Sequence, residues 1–336
     1  MLRILEQLPP GLLATEARNL HEILPAPTLI HLPGRRPEPL FVSVLLHGNE
    51  TTGLAAIQAL LRKYQDRELP RALSVFFGNI SAAHEGHRHL EQQADYNRIW
   101  PCEGSSGDSP EHAMMRQILD EMRARDVFAS IDIHNNTGLN PHYGCVNRLD
   151  PRFFRLATLF SRTVVYFIRP CGVQSMAFAE LCPAVTVECG KPDQAHGTAH
   201  AAEFVETCLH LAELPDHPVA AHDLNLFHTV ATVTVPEHLS FGFDAAAQDI
   251  QFIADLDHLN FRELAAGSVL GRVREASAAS PLCVIDEQGH DVSDRYFSLR
   301  DGEIRTTRAI MPSMFTLDAE VIRQDCLGYL MERMPL

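Results

Sequence analysis

An apolar run at residues 41–46 passes directly into His47-Gly48-Asn49-Glu50, and a helical pattern starts at Thr51. A strand that ends on a histidine and an acid as a helix begins presents both side chains at its carboxyl end, where open α/β sheets bind their ligands. The spacing of three lets an imidazole and a carboxylate converge on one ion as the turn winds, and Gly48 permits a tight bend. Alone, this pair suits packing as well as it suits chemistry. Two more apolar runs end in the same manner: residues 127–133 stop at His134-Asn135, and residues 183–187 stop at Glu188-Cys189-Gly190. Three strand ends delivering His, Glu, His and Glu to one face are hard to explain as packing.

Two histidines and a glutamate form a catalytic zinc shell with one position left for water, so His47, Glu50 and His134 are the expected ligands. Glu188 is then available as a base. Asp132, two residues before His134, points to the same side of its strand. It either accepts the second imidazole proton of His134, as carboxylates behind metal-bound histidines do, or is an ordinary surface carboxylate.

Around these sites the first 215 residues alternate short apolar runs with helical patterns, the signature of βαβ units. Strands are predicted at 28–32, 40–46, 72–77, 127–133, 163–168 and 184–187, and helices at 51–64, 110–125, 151–161 and 195–213. Ser109 is the expected N-cap of the second helix, and residues 102–109 read as a loop. After residue 215 the pattern becomes strand-like, with runs at 227–235, 268–273, 281–285 and 303–307. A hydrolase domain at 1–215 and a β domain at 216–336 are therefore expected. Charge breaks at the same place: 19 basic and 24 acidic residues precede it, and 9 and 19 follow, within a net charge of −15 for the 336 residues. Acidity on that scale argues against nucleic acid and anionic membranes as partners.

The N-terminal residues lack the basic start and long apolar centre of a signal peptide, which makes cytoplasm the expected location. Cys102, Cys145, Cys171, Cys182, Cys189, Cys208, Cys283 and Cys326 include no CxxC pair and are read as buried reduced thiols. The 18 histidines exceed what one site needs. His84, His87 and His89 read as solvated or pocket-lining, His196 and His200 as helix residues at metal-binding spacing, and His142 as a neighbour of the His134 loop.

HGNETTG at 47–53, Asp95-Tyr96-Asn97-Arg98, DIHNNTG at 132–138 and VTVECG at 185–190 together resemble the succinylglutamate desuccinylase and aspartoacylase family over residues 40–200. The resemblance implies the zinc-carboxypeptidase-like fold: an α/β domain with a mainly parallel mixed sheet and helices on both faces, plus a smaller C-terminal β domain. It implies one zinc per chain on His47, Glu50 and His134, with Glu188 as general base. Asn97 and Arg98 match the family's DxNR motif at the anionic end of the substrate. Arg88 is the candidate for the arginine that polarises the scissile carbonyl, at a spacing about two residues longer than the family's. Residues 171–183 contain no Arg or Lys where aspartoacylases carry an arginine, which argues against an N-acetylaspartate pocket.

The expected activity is that of a zinc-dependent deacylase, an amidohydrolase attacking a small N-acyl amino acid or related amide with metal-activated water. Since the family's β domain narrows access to the pocket, long peptides are not expected substrates. A carboxypeptidase acting on short peptides is the nearest alternative, and a non-catalytic metal-binding regulator is a further one that Glu188 disfavours. A homo-oligomer is compatible with the sequence.

Overall fold

The computed structural model describes residues 1–102, 107–243, 248–274 and 281–335. The chain divides into two compact units, Met1–Asn135 with His142–Asn225, and Asn136–Pro141 with Leu226–Leu336.

The first unit holds β1 (Arg3–Leu5), β2 (Thr28–Leu32), β3 (Gly34–Val44), α1 (Thr52–Lys63), β4 (Leu69–Phe77), α2 (Ile80–Glu85), α3 (Pro110–Ala124), β5 (Ala129–His134), β6 (Tyr143–Val146), α4 (Pro151–Thr158), β7 (Thr163–Tyr166), α5 (Gln174–Phe178), β8 (Ala184–Glu188) and α6 (Ala195–His210). Its strands lie in the order β1-β2-β4-β3-β5-β8-β6-β7. Only the β2–β4 and β6–β8 pairs are antiparallel, so the sheet is mixed and mainly parallel. The central strands β5 and β8 are buried throughout and β3 from Pro39 to Val44, as expected where both faces of a parallel sheet are covered.

Strand alternation shows how both faces are covered. Phe41 stacks on Phe178 of α5 with ring centroids 4.3 Å apart, and Trp100 meets both Phe178 and Phe76 edge-on. Val44 lies an odd number of residues from Phe41 and so faces the other way. There it meets Gly53 of α1, where an added Cβ would lie 2.9 Å from its side chain. The mainly parallel mixed sheet with helices on both faces, implied by the resemblance, is therefore the one observed.

The loop expected at 102–109 falls partly outside the described residues, since 103–106 are not among them. Ser109 caps α3 as expected, its hydroxyl accepting from the His112 amide at 3.3 Å. Strand β6 and helices α2 and α5 were not legible in the sequence.

The second unit contains β9 (Asn225–Thr234), β10 (Phe241–Gly242), β11 (Ile250–Phe252), β12 (Val269–Val273), β13 (Cys283–Asp286), β14 (Phe297–Arg300), β15 (Glu303–Thr306), β16 (Met311–Ser313) and β17 (Gly328–Arg333). Antiparallel pairing runs β13-β9-β17-β16, and a five-stranded sheet runs β10-β11-β12-β15-β14. Val233, Phe252, Leu270, Val284, Ile304 and Phe315 belong to one buried cluster.

The units divide about ten residues later than the expected boundary at 215. The Arg155 guanidinium donates to the Pro218 carbonyl at 3.0 Å, Arg162 donates to the His222 carbonyl, and the Asn225 amide donates to the Arg162 carbonyl at 2.7 Å. These bonds hold residues 216–225 on the first unit. Conversely, Leu139 and Asn140 bond to Asn260 and to the Met314 amide, which ties Asn136–Pro141 to the second. No helix among the described residues is long and apolar enough to cross a membrane.

Candidate active site

Strand β3 ends at Val44, and Leu45 takes φ 56°, a left-handed conformation unusual for a leucine. The Asn79 amide secures this reversal by donating to the Leu45 carbonyl at 2.6 Å. His47 and Glu50 follow it, both buried. Gly48 is required for a reason other than the bend expected of it: a Cβ there would lie 2.2 Å from the Ala83 amide nitrogen, inside the backbone of α2. Its amide donates to the Arg88 carbonyl at 3.0 Å, bringing the Arg88 segment against the turn.

Register brings in the other strand ends. Ser43 pairs with Asp132 across β3 and β5, and His134 pairs with Glu188 across β5 and β8. Side chains at paired positions share a face, so Asp132, His134 and Glu188 all emerge on the same side. Glu188 and His134 are both buried.

Glu50 links the two histidines. One carboxylate oxygen lies 2.7 Å from His47 Nδ1 and the other 2.7 Å from His134 Nδ1, with the rings 4.9 Å apart. One ligand atom from each of His47, Glu50 and His134 lies within 4.8 Å of the others, the only such set among the described residues. The far nitrogens are held by acids. Asp132 Oδ2 is 2.7 Å from His134 Nε2, and Asp95 Oδ1 is 3.2 Å from His47 Nε2. Carboxylates at both Nε2 atoms aim both Nδ1 atoms at Glu50, so the donor set suits zinc once Nδ1 gives up its proton.

Asp132 is itself fixed by the Ser43 hydroxyl at 2.7 Å. Arg88, also buried, donates to Asp95 Oδ2 at 3.0 Å and has Nη1 3.8 Å from Glu50. The Asn97 side-chain nitrogen lies 3.3 Å from His134 Nε2, and its side-chain oxygen accepts the Gln174 amide at 2.9 Å. Arg98 is half-buried and donates to the Asn97 carbonyl at 2.8 Å. All the expected residues thus share one neighbourhood of the first unit.

Charge inside the site is arranged by pairing. Burial favours the neutral form of Glu50, but His47 and His134 outweigh it and hold the carboxyl below the ordinary range. Asp95 likewise resists burial and is held well below its usual value by His47 and Arg88. Burial opposes a charge on His134, yet Asp132 and Glu50 lift it well above the ordinary histidine range. Glu188 behaves in the opposite sense: burial pushes its carboxyl up to about 8, with Glu50 and Asp132 adding to the rise and His134 and Arg88 opposing it.

Three features were missed in the sequence. Asp95 joins His47, Arg88 and the Asn97 amide through its two oxygens; its signal was the acid that opens Asp95-Tyr96-Asn97-Arg98. Asn135 donates from its amide to Glu50 at 3.0 Å and from its side chain to the Gly190 carbonyl at 2.8 Å, joining the β5 and β8 ends to the turn. Cys102 and Cys171 form a disulfide, which corrects the expectation of eight reduced thiols. The Trp100 amide donates to the Gly172 carbonyl at 2.9 Å, and this docking of the two segments brings the sulfurs together. The other six cysteines are not disulfide-bonded.

The sequence model of the succinylglutamate desuccinylase/aspartoacylase catalytic domain matches residues 39–214, just over half of the chain. No sequence match is found among curated proteins. Among solved structures, succinylglutamate desuccinylase from Chromobacterium violaceum is similar at 16% identity and TM-score 0.55, covering 90% of this chain and 87% of that one. A succinylglutamate desuccinylase/aspartoacylase from Rhodobacter sphaeroides gives 14%, 0.60, 90% and 88%. Murine aminoacylase 3 gives 13%, 0.54, 90% and 97%. At these identities the structures speak for the fold, and the matched catalytic domain speaks for descent: the chain belongs to the succinylglutamate desuccinylase/aspartoacylase family of deacylases.

Proposed function

We propose that the chain is a zinc-dependent amidohydrolase that releases the amine from a small N-acyl amino acid or related compound. The observation that carries this reading is the His47–Glu50–His134 donor set with Glu188 beside His134 in register. When bound, zinc supplies Lewis acidity and makes water nucleophilic near neutral pH. Glu188 takes the proton from the attacking water and returns it to the departing amine, as general base and then general acid. Arg88 stands ready for charge developing on the scissile carbonyl oxygen, while Asp95 fixes its guanidinium. Asp132 orients His134. Asn97 is occupied by His134 and Gln174, so in this reading it sets the position of Arg98, whose guanidinium binds a substrate carboxylate. The substrate is a small molecule, and cytoplasm remains the proposed compartment, although the Cys102–Cys171 bond favours an oxidising one.

The test is amine release from N-acetyl, N-succinyl and N-formyl amino acids beside short peptides. Hydrolysis of at least one acyl amino acid is expected, and cleavage of peptides alone would assign the site to a carboxypeptidase instead. With the active substrate in hand, Arg98→Met is expected to lower kcat/KM by about 10–100-fold, the worth of a charged hydrogen-bonded pair, with most of the change in KM. An unchanged KM would remove Arg98 from the substrate.

A further inference from the structure

The histidines in excess of the active site are not all scattered. His196 and His200 lie one turn apart on α6, and His142 immediately precedes β6. Their rings form a nearly parallel group: His142 to His200 is 5.0 Å between centroids at 13°, and His142 to His196 is 5.3 Å at 8°. Phe160 backs the group, stacking on His200 at 4.2 Å. His196 is exposed, and the other two are half-buried.

The contact between His142 and His200 is specific. Nδ1 faces Nδ1 at 2.7 Å, so one ring must present a lone pair and the other an N–H, or a cation must stand between them. Burial, then His200 and His196, keep His142 below the ordinary histidine range, which favours a lone pair on that ring. No carboxylate is among the groups acting on His142, and a donor set made only of imidazoles suits zinc, copper or nickel rather than calcium or magnesium.

We propose that His142, His196 and His200 form a second transition-metal site, separate from the His47–Glu50–His134 set. Bonds of ~2.0–2.1 Å place two tetrahedral nitrogen ligands ~3.3 Å apart, so the His142–His200 pair needs to open by roughly half an ångström. The three imidazoles do not yet converge within 4.8 Å, so binding also requires His196, on the exposed turn of α6, to swing in as the third ligand. The site adjoins the active centre along the chain. A Cβ at Gly190, two residues beyond Glu188, would lie 3.1 Å from His142 Nε2, and the Gly190 carbonyl is held by Asn135.

The experiment strips the full-length protein with a chelator and titrates zinc by calorimetry, with metal analysis after desalting and with Cu²⁺ followed by electron paramagnetic resonance. Wild type is expected to take two equivalents. His47→Ala should keep the one at the imidazole cluster, and His196→Ala/His200→Ala should keep the other. The single variant His196→Ala, at an exposed position, should weaken the second equivalent by about tenfold or more without altering the thermal transition of the stripped protein. The proposal is overturned by equal stoichiometry and affinity in wild type and the double variant, or by copper spectra lacking nitrogen coupling from the cluster. Failure of the active-site reading looks different: the one equivalent bound would then be lost in His196→Ala/His200→Ala and kept in His47→Ala.

Discussion

Glu188→Gln is expected to lower kcat by about 10²–10⁴-fold, the usual worth of a general base, while zinc content and unfolding temperature stay close to wild type. Glutamine fills the same volume, and it relieves Glu188 of the neighbouring carboxylates of Glu50 and Asp132 that raise its pKa. What the substitution removes is the proton acceptor. Burial pushes the carboxyl up to about 8 in the metal-free chain, and a divalent cation among His47, Glu50 and His134 draws it back down by favouring the ionised form. Because the ionised form is the active one, kcat/KM should fall as pH falls, along a limb between the ordinary carboxylate value and about 8. The glutamine variant should lack that limb. Near-wild-type turnover in Glu188→Gln, on a substrate the wild type hydrolyses, would take this residue out of the chemistry.

Removing the ion should be more severe still. His134→Ala is expected to lose the active-site zinc equivalent and all measurable turnover, and dialysis against a chelator should abolish turnover in wild type, with recovery on adding zinc back. The electrostatics of the metal-free site add a pH dependence with a definite sign. Asp132 and Glu50 hold a proton on His134 well above the ordinary range despite its burial, so a cation entering at Nδ1 must displace that proton. Affinity should therefore weaken as pH falls, by up to ~10-fold per unit for one displaced proton. Calorimetry in buffers of different ionisation enthalpy measures the release directly. A value near zero, or both zinc equivalents retained by His134→Ala, would contradict the ligand assignment.

Much of this site was legible because parallel strands in a buried sheet are continuous apolar runs, and a His or Glu where such a run stops stands out. His47, His134 and Glu188 were visible for that reason. Their adjacency was not, because it depends on β3, β5 and β8 lying side by side and on the register that sets His134 opposite Glu188. Short elements left too little pattern. Strand β6 has four residues, one of them Gly144, and α5 has five, less than two turns. Asp95 sat in a recognisable motif, yet its link to His47 spans 48 residues of sequence and exists only in the fold. Gly48 was read only as permitting a tight bend, since the crowding by α2 that makes it necessary comes from a helix too short to be seen beforehand.

The Cys102–Cys171 bond also acts on the chain when it is unfolded. It closes a loop across 69 positions, which in the chain-entropy picture costs the denatured ensemble up to about 4 kcal/mol of its freedom. The same loop starts just beyond Asn97 and Arg98 and ends just before Gln174, so the two segments that meet at Asn97 stay tethered when their hydrogen bond opens. Reduction, or Cys102→Ser with Cys171→Ser, should lower the unfolding temperature and raise hydrogen exchange first at the amides of Asn97, Trp100 and Gln174. Unchanged exchange there would mean that packing alone holds the wall. A cell that keeps its thiols reduced would then work with a looser pocket than one that oxidises them, from the same gene product.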